Sequence, residues 1–563
     1  VIFSLVAALS GFWSLSAAES ESSSILSAGY VGALALGILL APALRRPGVC
    51  FAIAVTALAT GASAWALIAR SFASTTGVQF TPRLSGSLSL PNALAVLALT
   101  GIFGGLGLTA HAKPAYRAIG GAIVGINALA LVLTSSRSGL GLALIGIFAM
   151  QLVLPAAPRM RLIGLVTLLP AVILGFRIAT WPAFTDTSKL VASASWKLII
   201  ATIVATVFGA VIGWGAPRLL PGAEPDGAQG RASRRSVLIA GGTLVILFAG
   251  LIAKAGGPVG TVDAIRAGFT GPVGQSGVRI GIGSNLRDHW WQTAWQGFTA
   301  EPLHGWGAGT FRLLEQISRT PAYTTGSTHN TILEALAGTG LLGGIPFIVS
   351  GIALVLLAVQ GVRRPRPGDG VGTTVVAIAA LAFLLQGLVD VNWALAAQGI
   401  IVYAAIGAIS PPASSPSQIS MPWRLSFGAV ALGLILAGLF AVPFWLSERD
   451  ATRSEELLLD DPMGALVLAE SAHRFNPLAT TPLMVEADAL EALGDHAGAR
   501  QALKAAIRLE PKNYEPLLAY GTYLAYSWNA PAAGSAALKD AARLSGGDPS
   551  VQVVLDTLPA STP

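Results

Sequence analysis

Charge is scarce in this chain. Only 11% of its 563 residues are Asp, Glu, Lys or Arg, against 53% hydrophobic ones, whereas a soluble globular protein carries about a quarter charged residues. That deficit excludes an ordinary soluble protein and makes a bilayer the solvent. Cysteine is nearly absent: Cys50 alone rules out a disulfide scaffold and any cysteine-based metal cluster. No Gly-Lys-Ser/Thr follows a glycine-rich stretch, so there is no Walker phosphate loop. Glycine (65) and proline (33) are plentiful, but they lack a triplet period and sit among long apolar runs, which excludes collagen and a disordered chain.

The few charges are unevenly placed. From Glu448 onwards nine basic and sixteen acidic residues leave the tail at −7, and the 26 basic and 12 acidic residues upstream carry +14. Two bodies with different solvents are expected, a basic apolar front and an acidic water-soluble back. The basic excess belongs to membrane topology and does not point to nucleic acid.

A membrane helix needs roughly 20 mostly apolar residues. Runs of that kind fall near 24–44, 49–69, 91–110, 118–134, 139–157, 162–177, 197–216, 236–254, 332–360, 372–389, 394–410 and 425–446, with a shorter one at 1–17. The chain opens at Val1 inside an apolar run, without an initiator Met, a basic flank or a small-residue cleavage site. That pattern is not a signal peptide, and further residues are expected before Val1. One set of alternate loops holds fourteen basic residues, among them Arg45, Arg46, Lys113, Arg117, Arg363, Arg364 and Arg366, against Glu224, Asp226 and Asp369. The positive-inside rule puts that set in the cytoplasm. The loop at 70–90, the turn Thr134 to Ser138, the loop at 178–195, the segment 255–331 and the acidic tail then face out.

In the tail, Ala469 to Pro477 and Leu503 to Pro511 share a pattern, with the two prolines 34 residues apart. A period of 34 is that of tetratricopeptide helical hairpins, and Ala487, Gly494, Ala499 and Ala506 fit the small positions where paired helices approach closely. A plain amphipathic bundle without true repeats is the alternative. The sequence thus predicts an all-α fold: a polytopic membrane helical bundle of about 12 to 13 spans over residues 1–446, with a large extracytoplasmic loop at 255–331, and a tetratricopeptide-like helical-repeat domain at 447–563.

Three residues stand out chemically. His329 lies where a polar loop becomes the apolar helix beginning near Asn330. The partial positive charge of a helix N-terminus disfavours imidazolium there, leaving a neutral ring able to accept a proton; simple helix capping is the alternative. Arg137, in Thr134-Ser135-Ser136-Arg137-Ser138-Gly139, and Arg287, ahead of Trp290 and Trp291, are cations on the side where topology discourages them. An arginine near the membrane centre costs on the order of 2.5–3.5 kcal/mol, less at the rim, so an anion should offset it. A guanidinium offers forked donors that match phosphate oxygens, whereas a snorkelling anchor could equally be Lys. Glycines 305, 307 and 309 permit tight turns and close backbone approach. No Asp-x-Asp pair occurs in the membrane part, Asp390-Val391-Asn392 being the nearest approach. Arginines, rather than a metal, are therefore the expected neutralisers of a diphosphate.

Thr134 to Gly139, Arg287 with Trp291, Pro302, Gly305, Gly307 and Gly309-Thr310-Phe311, and His329-Asn330 leading through Leu333-Glu334 to Gly340-Leu341-Leu342-Gly343 occur in this order. Together with Trp13-Ser14, Arg83-Leu84-Ser85-Gly86 and Pro91-Asn92, they make residues 1 to 410 resemble the O-antigen ligase and O-antigen polymerase family of bacterial envelope glycan transferases. The resemblance implies a multi-pass protein of the bacterial inner membrane. Its donor would be a glycan on undecaprenyl pyrophosphate and its acceptor a glycan or lipid-core hydroxyl, as in lipopolysaccharide assembly. His329 would be the general base, Arg137 and Arg287 the pyrophosphate clamps, and Arg83, Asn330, Glu334 and Asp390 further substrate-binding candidates. Asp390 could alternatively only pair with an arginine, and Glu334 could be a helix cap at the membrane rim. No cofactor and no metal are called for, and the tail would offer a protein-docking surface.

Ligase, polymerase and protein oligosaccharyltransferase would use the same base and arginines, with a small lean to ligase. A flippase for a lipid-linked anion would also use basic residues, but it predicts inverted repeats and broken spans that the sequence does not display. An anchor for the tail would not need so many spans.

Overall fold

The computed structural model describes residues 1–72, 83–86, 90–154, 158–181, 195–219, 287–318, 325–411 and 441–558. The expected span at 236–254, and most of that at 425–446, lie outside the described residues. Among those residues the fold is helical, without strands. Six helical segments are long and apolar enough to cross a membrane: Ala17–Ala43, Pro47–Ser71, Pro91–Thr109, Pro114–Leu133, Trp196–Gly215 and Thr331–Arg363. The apolar stretch Ile163–Ile178 ends the longer helix Pro158–Ile178, and three other apolar helices, Arg137–Val153, Gly370–Gln386 and Ala396–Ile409, are shorter. At about 1.5 Å per residue these three fall below the roughly 30 Å hydrocarbon thickness if they lie straight across it. Among the described residues the expected count of spans is therefore met in part.

Local chemistry sets many helix starts. Pro47, Pro91 and Pro114 occupy the first turn of their helices, where a missing N–H costs nothing and φ is already helical. Ser136 accepts from the Gly139 amide to cap the helix Arg137–Val153.

The chain divides into two compact units. One comprises Ala33–Leu286 and Gly351–Phe427, the other Val1–Gly32, Arg287–Ser350 and Gly428–Pro563. Within the first, the helices Pro91–Thr109 and Pro114–Leu133 are the most enclosed of the candidate spans. The second of them crosses the helix Ser195–Leu219 through a ladder of small residues. A Cβ on Gly121 would strike the Gly209 carbonyl, one on Gly125 the Ala205 carbonyl, and one on Gly213 the Arg117 carbonyl. Positions four apart on both helices thus bring backbone to backbone, the small-residue packing that drives helix association where lipid removes the hydrophobic incentive.

Within the other unit, residues 441–457 are helical. They are followed by Pro462–Phe475, Thr480–Ala492, His496–Leu509, Tyr514–Tyr526, Pro531–Leu544 and Pro549–Asp556. Asp461, Asp495, Asn513 and Asp548 each cap the helix that follows, supplying an acceptor to amides with no intrahelical partner. Buried alanines, including Ala469, Ala487, Ala499 and Ala506, let these short helices pack closely. The middle of this tail also meets Trp306 and the helix Phe311–Ser318. Glu515 accepts from Arg312 at 3.0 Å and Gln316 at 3.4 Å, and the Lys512 ammonium lies 5.0 Å from the centre of the Trp306 ring.

Candidate functional site

His329 sits on a left-handed turn, with φ of 53°. That conformation is rare for residues other than glycine and costs on the order of 1–3 kcal/mol, although histidine visits it more often than most. The surroundings impose it. The His329 amide donates to Ser327 Oγ at 3.2 Å, and Ser327 Oγ donates to the Glu334 carboxylate at 2.7 Å, which also accepts the Thr328 amide at 3.3 Å. Glu334 lies in the first turn of the helix Thr331–Arg363, so the helix itself holds the turn that precedes it.

Asn330, expected among the substrate contacts, is the cap of this helix: its Oδ1 accepts the amides of Ile332 and Leu333, each at 3.0 Å. Capping of this helix thus falls to Asn330 and not to His329. Asn330→Ala is expected to cost about 1 kcal/mol, measured as a lower thermal midpoint; Asn330→Asp, which keeps the acceptor, should restore it.

The imidazole stacks on Trp290, with centroids 4.9 Å apart and planes inclined by 21°. Trp290 belongs to the helix Arg287–Ala300, of which Arg287 is the first described residue. Three residues apart on a helix, Arg287 and Trp290 lie on one face, so His329 stacks one turn from this arginine. Trp290 itself packs against a small core of Leu15, Ala294, Phe311, Leu313, Leu314 and Ala337.

The glycine-rich stretch serves the backbone. Gly340 has φ 56° and ψ −153° and breaks the helix Thr331–Arg363. A continuous helix would bond the Leu341 and Leu342 amides to the Ala337 and Gly338 carbonyls. Here those two amides donate to the carbonyls of Pro302 and Leu303, at 2.9 and 3.1 Å, and the two released carbonyls accept from Trp306 and Gly307, at 3.1 and 2.8 Å. All four groups are satisfied by exchange, as an environment poor in water requires. Gly305 and Gly307, with φ of 67° and 106°, allow the loop to lie against the break. The Trp13-Ser14 region is stitched to the same loop: Trp13 Nε1 donates to the His304 carbonyl at 3.2 Å, and the Leu15 amide to that of Trp306 at 3.0 Å.

Arg83, Arg137 and Asp390 fall in the other unit, where a second polar constellation forms. Arg137 is the first residue of its helix, behind the cap Ser136. Arg83 donates through Nε to the Thr134 carbonyl at 2.8 Å and through Nη2 to Asn92 Oδ1 at 2.6 Å. The Asn92 amide donates to the buried Asp390 carboxylate. Gln386 Nε2 lies 3.1 Å from that carboxylate and 2.9 Å from Ser138 Oγ. A network running Thr134, Arg83, Asn92, Asp390, Gln386 and Ser138 therefore surrounds the start of the helix that carries Arg137. Satisfied polar networks in a low dielectric are stiff.

Two of the three principal candidates mark a helix start: Arg137 opens its helix behind the cap Ser136, and His329 immediately precedes the cap Asn330. The positive end of the macrodipole repels a cation and attracts an anion. An arginine placed there has a local reason to take a phosphate oxygen. Among the described residues no group of three or more His, Cys, Asp or Glu is placed to hold a metal ion. Sequence reasoning missed Trp290, Gln386 and the Asn92 bridge. Trp290 could have been found from its spacing to Arg287, whereas Gln386 carries no sequence signal. No protein-family model matches the chain, and no curated protein matches it significantly, which leaves the chemistry of these residues as the ground for a functional reading.

Proposed function

We propose that this chain is a membrane glycosyltransferase that moves a glycan from an undecaprenyl-pyrophosphate donor to an acceptor hydroxyl at the outer face of the bacterial inner membrane. The hydroxyl proton passes to the His329 imidazole, and the oxygen attacks the anomeric carbon from the face opposite the diphosphate. The carbon–oxygen bond to the diphosphate breaks, its electron pair leaves with the pyrophosphate, and the anomeric configuration inverts. Arg137 and Arg287 neutralise the charge that grows on the leaving group. A ring that must only accept a proton gains from a position beside a helix N-terminus, and proton transfer of this kind contributes about 10²–10⁴-fold.

The observation that carries this reading is the placement of Arg137 as the first residue of its helix, behind the cap Ser136. There an ordinary anchor would oppose the helix dipole, and a diphosphate would complement it. The order of the sequence motifs gives the donor class. Arg83 and Asp390 then stiffen the ground under Arg137, and Glu334 holds the turn that presents His329. The acceptor is a glycan or lipid-core hydroxyl, in the manner of an O-antigen ligase; addition of repeat units to a second lipid-linked chain is the polymerase form of the same chemistry. The 34-residue spacing between Pro462 and His496, which open alternate tail helices, and between Thr480 and Tyr514 supports the reading of 447–563 as tetratricopeptide-like and as a docking surface for a protein partner. No cofactor is required.

Arg137→Lys tests the clamp. Lysine keeps the charge but cannot fork, so kcat/KM for the lipid-linked donor should fall by roughly 10–100-fold, the equivalent of a charge-assisted hydrogen bond. Unchanged turnover would make Arg137 a membrane anchor.

A further inference from the structure

A general base must present its lone pair along one direction, yet an imidazole on a half-buried left-handed turn can swing about two side-chain bonds. The chain supplies a stop. Trp290 lies nearly parallel to the His329 ring at 4.9 Å, in the offset-stacked range for aromatic pairs. It is itself braced against the core around Phe311 and Leu314. The backbone is fixed independently, because Ser327 holds the His329 amide and Glu334 holds Ser327.

We propose that Trp290 is the positioning residue of His329: its indole face sets the imidazole plane on the turn that Glu334 pins, so that the ring meets the acceptor hydroxyl already oriented. Two of the groups involved, Trp290 and Glu334, never touch substrate in this scheme. The inference rests on the reading of His329 as the base, but the stack can be tested without it.

The test compares Trp290→Leu and Trp290→Phe with the wild-type full chain, reconstituted in nanodiscs with ¹³C-labelled histidine. The His329 ring protons are assigned by their loss in His329→Gln. Stacking displaces them upfield through the indole ring current; Leu should abolish that displacement, and Phe should keep most of it. With a lipid-pyrophosphate-linked glycan, Leu should lower kcat by roughly 10–100-fold, the scale of a misplaced catalytic group, with KM changed by less than about twofold, and Phe should recover most of the loss. The proposal is overturned if the ring resonances are the same in wild type and Leu, or if folded Phe and Leu variants lose kcat equally. Should the Leu variant fail to fold, the Phe variant decides alone: an upfield shift with kcat within about threefold of wild type supports it, and loss of both overturns it. If wild type transfers no glycan, or His329→Gln transfers as well as wild type, the base assignment fails while the resonances still report whether Trp290 sets the ring.

Discussion

Replacing His329 by alanine is expected to slow glycan transfer by about 10²–10⁴-fold, the usual share of a general base, while the protein remains folded. The ring stacks on Trp290, a contact worth about 0.5–1.5 kcal/mol, and Asn330 rather than His329 caps the following helix. Alanine at φ 53° adds strain of about 1 kcal/mol or more. His329→Asn is therefore the better companion variant, because asparagine tolerates the left-handed region and has no basic ring. Both variants should lose kcat to a similar extent, and Asn should lose less thermal stability. Steady-state transfer rates and thermal midpoints on the same preparations separate the two effects.

Gly340→Ala should be the most damaging single change to the fold. At φ 56° and ψ −153° the backbone is in a region essentially reserved for glycine, and the added Cβ would strike the Leu303 carbonyl. That carbonyl accepts the Leu342 amide, so relief of the clash would break the exchange of four backbone bonds around the helix break. A loss above about 3 kcal/mol is expected, seen as a lower thermal midpoint or poor recovery of monodisperse protein. Gly351→Ala is the control in the same helix, since nothing lies within 4 Å of its added Cβ. It should be neutral or mildly stabilising.

Much of the helical framework was legible because its signals are local. Proline at helix starts, apolar runs and the Ser136 cap all act within a few residues, and the observed helices begin close to where the sequence places them. The break at Gly340 was not legible. It lies in an apolar stretch where hydropathy registers only compatibility with lipid, and its cause is a loop some forty residues earlier in the chain. The same limit applies to helix ends: composition does not show where a helix stops, as it does at Gln386 before the turn leading to Asn392.

Site residues were legible to the extent that their chemistry conflicts with their place. An arginine where topology is expected to discourage a cation, or a histidine at a helix start, is conspicuous in a chain with so little charge. Asn330 also has a structural role that its position beside a candidate base does not disclose, since its side chain caps the following helix. The Arg83, Asn92 and Asp390 network joins residues roughly three hundred positions apart. Such pairings depend on how helices pack, which no spacing rule encodes.

The central claim is that the chain transfers a glycan from a lipid diphosphate with an imidazole base and guanidinium clamps. The most direct measurement incubates purified protein with a labelled glycan on undecaprenyl pyrophosphate and an acceptor in the presence of a chelator, and determines the anomeric configuration of the new linkage. The account predicts transfer with inversion, release of undecaprenyl pyrophosphate and no need for a divalent ion. Retention of configuration, a requirement for metal, or undiminished transfer by His329→Asn would contradict it.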